Sequence, residues 1–106
     1  MWIRSAFWVG AARDSAQAQF ETAMNEDLGP ALRALPGVRD AKVLWPRKFE
    51  DQPPAIACQV LVEFDRHEDL ERMLGSPERS ALREKVRYVS QNLFEGALSH
   101  IDYEVG

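Results

Sequence analysis

Hydrophobic positions along the chain switch repeatedly between a two-residue repeat and a three-to-four-residue repeat. Residues Trp2 to Val9 are rich in aromatic and branched side chains, and the run is short enough for a strand. Alternation puts Ile3, Ser5, Phe7 and Val9 on one face and Trp2, Arg4, Ala6 and Trp8 on the other. Both faces carry large apolar groups, so both need cover. Gly10 ends this strand. Asp14 or Ser15 then caps a helix by accepting from the free amides of its first turn. Ala16, Phe20, Ala23, Met24 and Leu28 form its apolar stripe. Gly29-Pro30 interrupts the helix, because Pro30 lacks an amide and clashes with the preceding turn. Ala31 to Leu35 resumes it, and Pro36-Gly37 closes it.

A second strand runs from about Val38 to Trp45, with Arg39, Ala41, Val43 and Trp45 opposite Val38, Asp40, Lys42 and Leu44. Pro46 to Pro54 is polar, holds three prolines and reads as a long loop. Ala55 to Phe64 is the strongest strand signal: Ile56, Cys58, Val60, Val62 and Phe64 make one apolar face, and Ala57, Gln59, Leu61 and Glu63 the other. A helix follows from about Glu68 to Leu74. Ser76-Pro77-Glu78 starts another, with a capping hydroxyl, a proline at the first helical position and a carboxylate at the positive dipole end. Leu82, Val86, Val89 and Leu93 carry that helix on, and Gly96 stops it. Ser99 to Val105 alternates again, with Ile101, Tyr103 and Val105 against His100, Asp102 and Glu104.

The element order β-α-β-β-α-β defines an α+β, ferredoxin-like fold within one domain, residues 1–106. Right-handed crossovers give a four-stranded antiparallel sheet in the order 4-1-3-2, with the helices on one face. Ile3, Phe7, Val9, the Ile56-to-Phe64 stripe, Ile101, Tyr103 and Val105 suit the helix side. Trp2, Arg4, Trp8, Gln59, Leu61, Glu63, His100 and Asp102 then fall on the open side. Large mixed aromatic patches of that kind are avoided on soluble monomers. Two sheets packed face to face would cover it, so the expectation is a homodimeric α/β barrel whose interior those residues line.

Charge narrows the partners. Thirteen Lys and Arg against seventeen Asp and Glu leave a net charge of −4. That balance argues against non-specific nucleic-acid binding, which uses cations to displace phosphate counterions. Arg79, Arg83 and Arg87 recur at helical spacing and read as a solvated face paired with Glu78 and Glu84. No run approaches the ~20 apolar residues of a membrane span, and the opening residues lack the pattern of a signal peptide. A cytoplasmic protein is expected, with no membrane partner. The single cysteine, Cys58, allows no internal disulfide and reads as a buried small hydrophobe. His67 and His100 are too far apart in sequence for a zinc-ligand spacing, and no Gly-rich phosphate loop follows a strand. Neither a metal nor another cofactor is expected.

Three segments carry a family resemblance. They are the opening strand and helix with Phe20 and the Gly29-Pro30-Ala31-Leu32 to Leu35-Pro36-Gly37-Val38 stretch; the strand Val60 to Phe64 leading into Asp69 to Glu78; and the closing strand Ile101 to Val105. The chain resembles the dimeric α/β-barrel superfamily and, within it, the EthD-like proteins. The family often shows a histidine shortly before the helix-1 proline; Leu28 stands there in this chain, with Asn25, Glu26 and Asp27 nearby. The superfamily includes cofactor-independent monooxygenases, lactone isomerases, polyketide cyclases and members with no known reaction, and a fold does not choose among them.

The resemblance and the residues support a small-molecule binding protein of a catabolic or biosynthetic pathway, holding an apolar organic ligand in a barrel cleft. Trp2, Trp8, Gln59, Leu61 and Glu63 are the candidate ligand contacts. The alternative is a cofactor-independent monooxygenase, isomerase or cyclase. In that reading His100 is the base, Asp102 orients it and Arg4 stabilises an enolate or carboxylate.

Overall fold

A computed structural model describes all 106 residues. The strands are β1 (Trp2–Ala12), β2 (Asp40–Leu44), β3 (Ile56–Phe64) and β4 (Phe94–Glu104). They form one antiparallel sheet in the order β2-β3-β1-β4, which is the predicted order read from the other edge. The helical segments are α1 (Gln17–Thr22), a π-helical turn (Ala23–Leu28), α2 (Gly29–Arg33), α3 (His67–Leu74) and α4 (Pro77–Asn92). No helix is long and apolar enough to cross a membrane.

The first helical stretch is not broken at Gly29-Pro30, as the proline alone would require. The chain widens into a π turn, with the Gly29 amide donating to the Met24 carbonyl five residues back. One extra residue in the turn lets the ring of Pro30 enter without ending the helix. Nor does Asp14 or Ser15 cap α1: Ala16 occupies the N-cap position, with no side-chain bond. Ser15 instead sits in the left-handed region (φ 64°), within the turn that leads into the helix. Ser76 does cap α4, its Oγ accepting from the Arg79 amide at 3.2 Å.

Gly10 and Gly96 punctuate strands rather than end elements. They face each other across the β1–β4 ladder at φ +136° and +147°. A Cβ on Gly10 would stand 2.2 Å from the Glu95 carbonyl oxygen, so only glycine fits there. The ladder therefore continues to Ala12 and Phe94. That extension delivers Phe94 into the core, where it meets Trp8 edge-on at 5.2 Å and stacks on Phe20 at 5.3 Å. Each such aromatic pair adds roughly 0.5–1.5 kcal/mol beyond the area it buries.

The faces of β1 and β4 are the reverse of those expected. Directly opposed residues of an antiparallel ladder share a face, and β1 pairs Trp8 with Cys58, Ala6 with Val60, Arg4 with Val62 and Trp2 with Phe64. On the other side Arg4 meets Asp102, Ala6 meets His100 and Trp8 meets Leu98. Trp2, Arg4, Trp8, His100 and Asp102 therefore share the helix-covered face with the buried stripe of β3. Ile3, Phe7, Val9, Ile101 and Tyr103 lie on the open face beside Gln59, Leu61 and Glu63. Only those last three of the predicted barrel-lining residues stand where the sequence put them. The cause is the double-sided apolar pattern of β1, which fits either orientation; packing of Trp8 with Phe20 and Phe94 selects one.

Candidate functional site

The helix-covered side of the sheet is not filled. A cavity of about 360 Å³ lies between β1, β3 and β4 on one wall and the π turn, α2, α3 and α4 on the other. That is within the range of small-molecule sites. Its deep surface is apolar and buried, with Trp8, Met24, Leu28, Val60, Val62 and Leu82 all within it. Met24 and Leu28 come from the π turn, one at each end of the stretch that the extra residue displaces.

The outer part is cationic. Arg4 reaches the cavity from β1, and Arg79, Arg83 and Arg87 reach it from α4. Arg83 and Arg87 are exposed, as a solvated face requires, whereas Arg79 is half-buried, and the expected pairing with Glu78 and Glu84 is only partly met. Only Arg87 has such a partner, Glu84 Oε1 at 2.8 Å. Their signal in the sequence was the four-residue spacing; what the spacing could not say was that this edge of α4 borders the cavity. Ala6, Leu32, Met73, Val86 and Leu98, which complete the apolar lining, were legible as core positions or not at all.

His100 lines the same cavity. Its imidazole is held below the usual histidine range, first by burial, then by the positive charges of Arg4 and Arg79, with Asp102 pulling the other way. The neutral, proton-accepting form is therefore favoured at neutral pH. Asp102 does not orient the ring. Its carboxylate accepts from Arg4 Nη1 at 2.9 and 3.1 Å, and His100 forms no hydrogen bond to it. Arg4 in turn is occupied by Asp102.

The remaining candidates scatter. Trp2 packs against His67 at the start of α3, outside the cavity, with ring centroids 4.5 Å apart and planes tilted by 54°. His67 is consequently both partly solvated and packed, with Glu71 at 3.6 Å from Nδ1. Gln59 donates to Ser5 Oγ at 2.8 Å on the open face. Glu63 accepts from Lys42 at 3.1 Å there, and Leu61 lies between them in the strand. Cys58 is fully buried, and burial pushes its thiol up to about 12, so it supplies no nucleophile.

No protein-family model matches the chain, and no curated protein does. Solved structures do. An EthD family protein from Bacillus halodurans superposes with a TM-score of 0.76 at 22% identity, over 100% of this chain and 99% of that one. The chain shares the fold of the EthD-like proteins. A dimeric ferredoxin-like protein of unknown function from Jannaschia sp. matches at TM-score 0.66 and 18% identity, over 99% and 100% of the two chains. SnoaB, a cofactor-independent oxygenase from Streptomyces nogalater, matches at 0.61 and 16%, over 98% and 90%. At these identities the likeness is one of architecture, and the EthD-like fold hosts more than one function.

Proposed function

We propose that the chain binds a small, largely apolar organic molecule in the cleft between its sheet and α4. The cavity carries this reading: about 360 Å³ of space with a buried aliphatic and aromatic floor and a charged rim, all on elements of fixed structure. Trp8 forms part of the floor, Arg4 and His100 part of the wall. Gln59, Leu61 and Glu63 belong instead to an interface. The open face exposes Leu44, Ile101 and Tyr103 beside Leu61, an apolar surface that a second copy of the chain would cover. The dimeric Jannaschia protein of the same fold favours that occupant.

One observation supports a second, catalytic reading. His100 faces the cavity in its neutral form among guanidinium groups, which suits removal of a proton from a carbon acid and stabilisation of the resulting enolate. SnoaB, described as a cofactor-independent oxygenase, has the same fold. In this reading Asp102 holds Arg4 in an ion pair and acts on His100 through its charge rather than through a hydrogen bond.

Native mass spectrometry of the purified protein tests both parts of the binding proposal. The expected particle has twice the 12.1 kDa chain mass, plus a small mass released on denaturation. A single-chain particle overturns the homodimer. No retained mass, together with no thermal shift from a panel of aromatic acids, phenols and lactones, overturns the cleft as a binding site.

A further inference from the structure

We infer that the occupant of the cleft is an organic anion, with an apolar body on the floor and one carboxylate head held by Arg79 and Arg83. This rests on the reading of the cleft as a binding site and adds the chemistry of what it takes. Residues four apart stack on one face of a helix, so α4 presents Arg79, Arg83 and Arg87 to the cavity as a row. Like charges at that spacing oppose the helix unless they are answered. Arg87 is answered by Glu84 at 2.8 Å, and Arg4 by Asp102 at 2.9 Å. Arg79 and Arg83 have no carboxylate partner, and no Asp or Glu lines the cavity.

The excess is local and runs against the composition of the chain, which carries four more acidic than basic groups. Arg79 is half-buried near the N-terminal end of α4, where the helix dipole adds further positive potential. Burial and the neighbouring Arg83 and Arg4 all work against its charge. A guanidinium nevertheless keeps its proton and matches a carboxylate with parallel donors. Arg83 is exposed to solvent, so the unanswered group is the half-buried Arg79, and a carboxylate brought by the ligand would answer it and bridge to Arg83. A nucleic-acid backbone fits less well, because it would satisfy the arginines and leave the buried floor of Trp8, Val62 and Leu82 empty. The volume suits one or two rings or a medium-length alkyl chain.

The experiment compares matched acids and amides by titration calorimetry: naphthalene carboxylate against its carboxamide, and octanoate against octanamide. In the wild-type protein at low salt the carboxylates are expected to bind at least about tenfold more tightly than the amides. Added salt should erode that preference. The double variant Arg79→Gln/Arg83→Gln should abolish it, carboxylate affinity falling to about that of the amide. Equal affinity for acid and amide in the wild type overturns the head-group assignment and leaves the cleft reading intact, whether or not the variant folds. Binding of neither member of either pair overturns both. A variant that folds but loses amide binding in parallel shows that the arginines shape the cleft rather than read charge, and also overturns the assignment.

Discussion

Arg4 and Asp102 face each other across the β1–β4 ladder, and a single guanidinium nitrogen, Nη1, stands 2.9 and 3.1 Å from the two carboxylate oxygens. The pairing separates Asp102 from His100, its neighbour two residues along the same strand. It also sets the charge that the imidazole feels, since Arg4 opposes protonation and Asp102 favours it.

Replacing Asp102 with Asn therefore should lower the His100 pKa further below its wild-type value. The substitution keeps shape and some hydrogen bonding but removes the negative charge. Following the imidazole ring protons by NMR through a pH titration reads the effect directly. A rise in the pKa would contradict the arrangement. The stability cost should be small, about 0.2–1 kcal/mol, as for other partly exposed ion pairs.

The same depressed pKa makes stability depend on pH. The unfolded chain binds a proton at His100 near the ordinary value of 6.5, while the folded chain binds it only at lower pH. Between those two values the unfolded state holds more protons, so stability rises with pH. The contribution is fully present above 6.5 and is lost as pH falls through the folded-state pKa. Melting temperatures measured from roughly pH 5 to 8 should show this slope in the wild type, and His100→Gln should flatten part of it. Identical slopes in the two proteins would place the titrating group elsewhere.

Gly29 tests the packing that holds the cavity open. Alanine is the better helix former by about 1 kcal/mol. At this position, however, a Cβ would lie 3.0 Å from the Met24 carbonyl oxygen and 3.1 Å from Val43 Cγ2 on β2. Crowding should win, and Gly29→Ala should destabilise by roughly 1–3 kcal/mol. Chemical denaturation would read this as a lower midpoint, and a stabilised variant would contradict the close approach of helix and sheet.

The sequence carried the order and direction of all four strands, because each has a two-residue repeat and each break has a physical marker. The stripe Cys58, Val60, Val62 and Phe64 was assigned to the correct side, since its opposite face is mixed and leaves one choice. β1 offered no such asymmetry. With Trp2 and Trp8 on one face and Ile3, Phe7 and Val9 on the other, either orientation buries a comparable amount of apolar surface. The decision rests on long-range contacts with Phe20 and Phe94 that no local pattern contains. Arg4, Trp8 and His100 line one cavity, but on the side of the sheet opposite to the expected one, and Gln59, Leu61 and Glu63 lie behind it. The π turn was equally hidden: Gly29-Pro30 signals a disturbance, but no local pattern says that the chain widens rather than breaks.

The division of the sheet into two chemically different sides has a thermodynamic consequence. The cleft opens beside α4, whereas the exposed Ile101 and Tyr103 point away from it through the thickness of a single layer of backbone. A partner seated on the open face and a molecule in the cleft would never compete for the same space. The two equilibria could influence each other only by shifting the strands they share. With rigid strands, ligand affinity would be independent of protein concentration, and each chain of an assembly would fill and empty on its own.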